Sequence, residues 1–294
     1  MDVVPYAFCD AVCAVLKDLY ALMELTFDNS NCGIWNAAAE ATDDARVAIQ
    51  VDVTCEDGVW SYRIRKTAKN EEIGITFPEL KAISRCCVQT STVTIGNRYG
   101  YSMISTLNEA REILKYSVPF VNSAEMWINS NLEIPDVILA ELLSLFCNSS
   151  FSHICVGGYS KAAEGFLRTL LQSEGSKIID IFGDGWSDEL RVSIEHFVLT
   201  KSFVYLRVND VEGENSLVFG LKFLKKLLRK SCRHDRVTFT ARFRVKFRKL
   251  RKLKKEMLIQ TDDDTIGWRR RDGVKMKIER FYIDHFGISF ICYN

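Results

Sequence analysis

Histidine and cysteine are the residue types in this chain that could hold a metal ion or take part in covalent catalysis. The ten cysteines include no C-x-x-C pair, and no H-E-x-x-H or G-x-S-x-G pattern is present. Zinc and serine hydrolases use such spacings to bring their reacting groups together. The four histidines are therefore expected to be packing or surface residues: His153, His196, His234 and His285. We expect no catalytic residues, no metal and no cofactor, and hence no enzyme.

A glycine pair offers a second type of chemistry, the binding of a phosphate. The segment Gly157-Gly158-Tyr159-Ser160-Lys161 follows a strand-like run and opens a helical one. Backbone amides at such a helix start can hold an anion. Because the G-x-x-x-x-G-K-[ST] spacing of a P-loop is missing, a plain turn between strand and helix is favoured.

Region 222–255 is strongly basic and is opposed by a single acidic residue, Asp235. Nucleic-acid binding depends on clustered lysine and arginine, so this region is a candidate anion-binding surface. The residues selected at its centre are Arg248, Lys249, Arg251, Lys252 and Lys254. Leucines at 250 and 253 equally fit an ordinary amphipathic surface element, which is the favoured interpretation.

Strand-like and helical patterns alternate from about residue 90 onward, and these elements must position any site. Short β-like runs occur at 92–95, 124–128, 153–156, 178–182, 204–208 and 237–245. Helical apolar spacing occurs between them at 107–114, 137–145, 163–171, 190–198 and 217–228. The runs recur about every 25 to 33 residues, which is typical of repeat proteins. This alternation predicts a mostly parallel sheet in a leucine-rich-repeat-like α/β solenoid. A doubly wound α/β domain gives the same alternation and is the alternative.

Turn and cap residues agree with these boundaries. Helix starts are marked by Pro135-Asp136, Ser160 and Ser187-Asp188-Glu189, which are residues favoured at helix N-termini. The helix at 163–171 is expected to end at Glu174-Gly175, where a glycine cap is common.

Residues 46–66 have the pattern of a β-hairpin. Apolar residues alternate over 47–53 and again over 60–64, and Asp57-Gly58 stands between the two runs as the turn. A helix is predicted around 78–85. At the other end of the chain, 237–247 predicts a strand with one apolar and one basic face, and 278–283 and 288–293 predict two more strands.

The composition is that of a folded protein with no membrane span. The chain has 294 residues, of which 47% are hydrophobic and 26% charged, enough for one large core or two ordinary ones. No run of about 18 apolar residues is present, and the N-terminus lacks the basic region of a signal peptide. Dispersed cysteines are expected to be reduced. These features predict a protein of the cytoplasm, the nucleus or both.

The N-terminal residues carry a helical apolar face that begins at Pro5. The apolar residues recur at three- and four-residue steps: Phe8, Val12, Leu16, Leu19, Leu22 and Leu25. On periodicity alone this is an amphipathic helix pair with a proline near its first position.

The order of these residues resembles the F-box family. An F-box runs from Leu-Pro through spaced apolar residues and an acidic-Leu pair to further leucines and a tryptophan. This chain has Val4-Pro5, then Asp18-Leu19, and finally Trp35. Its opening, Met1-Asp2-x-Val4-Pro5-x-x-Phe8-Cys9-Asp10, is similar to that of a nematode-expanded family of F-box-like proteins.

The resemblance implies a non-enzymatic adaptor, the substrate receptor of an SCF-type cullin-RING ubiquitin ligase. The residues implied to dock the Skp-type adaptor are Pro5, Phe8, Val12, Leu16, Leu19 and Leu22. The expected domains are an F-box-like helical module at 1–45, a hairpin and helix opening the sheet at 46–90, and at 91–294 a solenoid with C-terminal strands that holds the target protein. The alternative is a solenoid interaction or nucleic-acid-binding protein that uses region 222–255 without a ligase link.

Overall fold

The structure is a computed structural model that divides the chain into two compact units, Met1–Glu125 and Met126–Asn294. The residues it describes are 12, 37, 38, 41, 47–68, 71–83, 88–96, 103–129, 134–172, 178–201, 203–209, 217–227, 236–243, 258–261, 265–269, 275–282 and 285–291. Within these residues the chain alternates strands and helices, so the predicted α/β class is confirmed.

The first unit contains a small mixed sheet with two helices. Its elements are β1 (Val47–Glu56), β2 (Val59–Ala68), β3 (Glu71–Ile75), α1 (Phe77–Ala82), β4 (Val88–Ile95), β5 (Met103–Ser105), α2 (Leu107–Ser117) and a 3-10 turn (Val118–Phe120). The strand order is β3-β2-β1-β4, and β5 also pairs with β2. Strand β1 is parallel to β4 and antiparallel to β2. The next strand, β6 (Val121–Asn129), has residues in both units.

The predicted hairpin is confirmed. Strands β1 and β2 pair from Ala48 opposite Thr67 down to Glu56 opposite Val59. The two turn residues have positive φ, 50° at Asp57 and 74° at Gly58, as the tight turn that matches strand twist requires. The predicted alternation is observed as one buried face of the hairpin. The side chains at 49, 51, 53, 62 and 64 lie on this face and are nearly inaccessible.

The second unit begins its regular repeat after the second half of β6. Its elements are α3 (Asp136–Ser144), β7 (Ser150–Gly157), α4 (Lys161–Gln172), β8 (Ile178–Phe182), α5 (Asp188–Thr200), β9 (Tyr205–Asn209), β10 (Val218–Phe219), α6 (Leu221–Leu227) and β11 (Arg236–Phe243). Strands β7, β8, β9 and β11 are parallel and lie in chain order. Each helix from α3 to α6 contacts the next.

The predicted helix starts are confirmed at all three helices, since α3 begins at Asp136 after Pro135 and serines cap the starts of α4 and α5. The Ser160 hydroxyl accepts a hydrogen bond from the amide of Ala163 at 3.0 Å. The Ser187 hydroxyl accepts one from the amide of Leu190 at 3.2 Å. Both serines therefore satisfy amides that would otherwise lack a partner at a helix N-terminus. The predicted stop at Glu174-Gly175 lies outside the described residues.

Four further strands continue the sheet of the second unit in the antiparallel sense. They are β12 (Leu258–Thr261), β13 (Thr265–Arg269), β14 (Lys275–Tyr282) and β15 (His285–Ile291), in the order β11-β15-β14-β13-β12. Strands β14 and β15 were predicted, whereas β12 and β13 were not. The strand predicted at 237–247 is described as far as Phe243.

The N-terminal module is barely covered by the described residues. Among the six predicted adaptor-binding positions only Val12 is described, as a partly exposed helical residue. Pro5, Phe8, Leu16, Leu19 and Leu22 lie outside the described residues, so the module stays a prediction.

Candidate functional site

One face of the parallel sheet in the second unit is covered by helices. Phe239 of β11 packs on Phe223 of α6, with 5.9 Å between ring centroids. Strand register aligns Phe239 with Leu206 of β9, and Leu206 with Ile179 of β8, and all three are almost fully buried. When parallel strands follow chain order across a sheet and every connection is right-handed, all the connecting helices lie on the same side of the sheet. This side is therefore the helix face.

Residues that alternate with these lie on the opposite face of the sheet. There the register aligns Cys155 of β7, Asp180 of β8, Arg207 of β9 and Thr240 of β11 in one row. Successive side chains of a strand point to opposite faces, so none of the described connecting helices covers this row. We call this the helix-free face.

The Asp180 carboxylate bridges two neighbouring strands on the helix-free face. Arg207 Nε donates to Asp180 Oδ1 at 2.7 Å, and His153 Nε2 lies 2.9 Å from Asp180 Oδ2. Burial raises the pKa of the Asp180 carboxyl, but the hydrogen bonds from His153 and Arg207 outweigh it, so this pKa lies below its usual value. Since an ionised carboxylate can only accept, His153 donates through Nε2.

Aromatic rings surround the charged groups. The Arg207 guanidinium carbon lies 5.0 Å from the ring centroid of Phe182 and 5.9 Å from that of Tyr205, within the range of cation–π attraction. The Trp127 ring of β6 meets the His153 ring edge-on at 5.7 Å. We call this set the Asp180 cluster: Trp127, His153, Asp180, Phe182, Tyr205 and Arg207.

Burial differs sharply within the Asp180 cluster. Asp180 is only 5% exposed, whereas Trp127 is 38% exposed. The side chain of Arg207 is also 38% exposed. Its Nε is bound to Asp180, and its terminal nitrogens Nη1 and Nη2 have no hydrogen-bond partner among the described residues. The cluster therefore presents one fixed guanidinium and apolar rings at an accessible surface.

The first unit holds a comparable charged pair. Asp52 of β1 accepts two hydrogen bonds at Oδ2 from Arg63 of β2, at 3.0 Å from Nε and 2.7 Å from Nη2. Arg65 pairs with Glu72 of β3 at 2.7 Å. Asp52 Oδ1 is buried and has no hydrogen-bond partner in the part of the chain that the structure describes. These ion pairs tie three strands together.

The glycine segment at 157–161 is a turn held by the chain's own groups. The Gly158 amide donates to the carbonyl of Phe182 at 3.1 Å. At the start of α4, the amide of Ala162 donates to Asp136 Oδ1 at 3.4 Å, and that of Ala163 is capped by Ser160. These three amides thus already have acceptors within the chain, in agreement with the turn interpretation.

Two of the predicted packing or surface histidines have described side chains. His196 is an exposed residue of α5, and His153 packs edge-on against Trp127, both as expected. The place of His153 in the Asp180 cluster was not predicted from the sequence. The sequence does carry a signal for this cluster. Asp180 lies 27 residues after His153 and 27 residues before Arg207, and each of the three lies within a predicted strand.

The basic region is described only in part. Lys222, Lys225 and Lys226 are exposed on α6, opposite its buried face. The five selected centre residues, Arg248, Lys249, Arg251, Lys252 and Lys254, lie outside the described residues. No group of three or more metal-binding side chains occurs in the described part of the chain. No described helix is long and apolar enough to cross a membrane.

Comparison of the chain with protein-family models, with curated proteins and with solved structures gives no match.

Proposed function

We propose that this chain is a protein-interaction adaptor that serves as the substrate receptor of an SCF-type cullin-RING ubiquitin ligase. Its N-terminal F-box-like segment docks the Skp-type adaptor, and the helix-free face of the second unit binds the target protein. The recruited ligase carries out ubiquitin transfer. The site of action is the cytoplasm, the nucleus or both.

The observation that carries the proposal is the Asp180 cluster on a sheet face without a described helix. Arginine, tryptophan and tyrosine are the side chains most often found at the energetic centre of protein interfaces. Here Tyr205 and Arg207 lie on β9 and Trp127 on β6, in a row of strands that follow chain order, and the helices occupy the other face. Leucine-rich-repeat-like solenoids have this layout and use the strand face for recognition. A doubly wound sheet would instead reverse its strand order at a switch point.

The arrangement of hydrogen bonds favours binding over catalysis at this cluster. Each oxygen of Asp180 already accepts a hydrogen bond, one from His153 and one from Arg207. A general base needs a lone pair that can reach a substrate proton, and the burial of Asp180, which is only 5% exposed, keeps its remaining lone pairs from a substrate. The carboxylate therefore orients its two partners, and these present a fixed surface to a ligand.

The N-terminal segment supplies the attachment point in this proposal. The sequence spacing of its apolar positions from Pro5 to Leu22, in steps of three and four residues, is that expected for one helical face. An apolar helix face that a partner buries is a common mode of stable docking.

Co-purification of the Skp-type adaptor from cells tests this function. We expect the adaptor to accompany the wild-type chain and to be lost with the double variant Leu16→Glu/Leu19→Glu, because two charges would enter the apolar interface. Ala14→Glu/Ala21→Glu adds the same charges away from the apolar spacing and should retain the adaptor. Retention of the adaptor by the Leu16→Glu/Leu19→Glu variant would refute the proposal.

Nucleic-acid binding is the second candidate, and the exposed lysines of α6 favour it. It requires salt-sensitive retention on heparin or RNA, since phosphate contacts release counterions. Retention should then vanish when Lys249, Arg251, Lys252 and Lys254 are neutralised. Unchanged elution of that variant would exclude this role for the basic region.

A further inference from the structure

We infer that the Asp180 cluster binds an acidic segment of a partner protein, through a Glu or Asp carboxylate that accepts hydrogen bonds from both terminal nitrogens of Arg207. This inference deepens the proposed target-binding role and rests on it for the partner being a protein. It is independent of adaptor docking at the N-terminal segment.

The hydrogen bonding of Arg207 determines which of its edges is available. Nε points at Asp180 Oδ1 at 2.7 Å, so the side edge of the guanidinium is committed. The end edge, formed by Nη1 and Nη2, has no partner among the described residues. Two parallel N–H groups on one edge match the two oxygens of a carboxylate.

The surroundings of Arg207 hold that edge in place before a ligand arrives. Asp180 fixes one end of the guanidinium, and the rings of Phe182 and Tyr205 lie 5.0 Å and 5.9 Å from its central carbon. A side chain that is already ordered loses less conformational entropy on binding. The apolar rings also reduce the access of water, which strengthens the charge interaction.

The number of available donors favours a single carboxylate. Asp180 is ionised and pairs with Arg207, so the pair offers donor groups to a ligand without a large excess of positive charge. A nucleic acid needs several cations along its backbone, and a phosphorylated side chain carries nearly two negative charges. On the helix-free face from β7 to β9, the described residues offer one guanidinium with an available edge. One singly charged carboxylate, with apolar neighbours to cover Trp127, is the complementary ligand.

Fluorescence anisotropy of the purified full chain tests this inference with a labelled peptide of alternating Glu and Trp residues. The control peptide carries Gln in place of Glu. We expect the Glu peptide to bind roughly tenfold or more tightly than the Gln peptide, because charge-assisted bidentate bonds are lost with Gln. Equal affinity for the two peptides, or no binding of either, would overturn the inference.

Variants of Arg207 locate the interaction. Arg207→Gln should remove the preference for Glu, and Arg207→Lys should weaken it several-fold, because lysine keeps the charge but loses the fork. Lys222→Gln removes an exposed charge on α6 and should leave affinity unchanged. A specific site at Arg207 would be contradicted if Lys222→Gln lost as much affinity for the Glu peptide as Arg207→Gln does. Wild-type affinity in Arg207→Lys would also contradict it. So would tighter binding of oligouridylate that depends on Arg207.

Chemical protection of the wild-type chain avoids any effect of a substitution on folding. Phenylglyoxal modifies arginine, and mass spectrometry reports the extent at Arg207. The Glu peptide should slow modification of Arg207 several-fold and the Gln peptide should not; lack of protection would refute the inference. If the adaptor co-purifies but the Glu peptide does not bind, only the inference about Arg207 fails. If the Glu peptide binds but the adaptor does not co-purify, only the proposed ligase link fails.

Discussion

Asp180 and Arg207 stand directly opposite each other on the neighbouring parallel strands β8 and β9, and Arg207 Nε donates to Asp180 Oδ1 at 2.7 Å. The carboxylate is buried while the guanidinium reaches the surface. Both groups lie on the helix-free face, and the pair links a buried charge to an exposed one, so its properties can be measured without knowing the partner.

Removal of the Arg207 guanidinium should destabilise the fold. In Arg207→Met the buried Asp180 keeps only the hydrogen bond from His153. Loss of one partner of a buried ionised group typically costs about 1–3 kcal/mol. We expect the free energy of unfolding in urea to fall by that amount. Lys222→Met, at an exposed position of α6, is the matched control and should change it by less than about 0.5 kcal/mol.

The contribution of Asp180 should depend on pH. Its pKa is lower in the folded chain than the usual value of about 4. The stabilisation from Asp180 is therefore fully present when the pH is above the pKa of the unfolded chain. It is lost as the pH falls through the lower pKa of the folded chain. Urea unfolding of the wild-type chain and of Asp180→Asn should differ at pH 7, and the difference should shrink in acid below about pH 4. If the difference in unfolding free energy stayed constant or grew in acid, the pKa of Asp180 would not be lowered by folding.

The hairpin turn should be sensitive at Gly58. This residue has φ of 74° and open space around the position of a Cβ, so Gly58→Ala introduces backbone strain without a clash. We expect a loss of about 1–2 kcal/mol in the free energy of unfolding. Gly74 in β3 also has open space but no positive φ, and Gly74→Ala should be neutral or slightly stabilising. Equal effects at the two glycines would contradict the turn geometry.

Ser187 joins a helix cap to a buried carboxylate. Its hydroxyl accepts from the Leu190 amide at the start of α5 and donates to Glu164 of α4, which is buried. Ser187→Ala removes both bonds and should lower the thermal midpoint, with a cost of about 1–2 kcal/mol. Ser193→Ala within α5 removes only a bond to the carbonyl of Glu189 and should change the midpoint little. Similar losses in both variants would argue against a special role for Ser187.

Local sequence patterns predicted the elements of this fold well. The hairpin followed from alternation on both sides of Asp57-Gly58, and helices α4 and α5 followed from capping serines ahead of apolar spacing. These signals act within a few residues of each other. Strands β12 and β13 were missed, because they are short and antiparallel and their pairing depends on neighbours distant in sequence.

The Asp180 cluster depends on register between strands, and for that reason the sequence did not reveal it. The residue of β7 directly opposite Asp180 is Cys155. His153, two residues earlier on β7, forms the hydrogen bond to Asp180. Equal spacing of three polar residues within strands indicates a common face but does not fix such a diagonal contact. Burial of Asp180 and exposure of Arg207 also depend on packing across the sheet.

Proximity labelling of the intact chain in cells is the sharpest test of adaptor docking. The Skp-type adaptor should be labelled by the wild-type chain and by Arg207→Gln, and this labelling should be lost with Leu16→Glu/Leu19→Glu. Specific labelling of other partners without the adaptor would refute the ligase role and would leave an interaction protein without a ligase link.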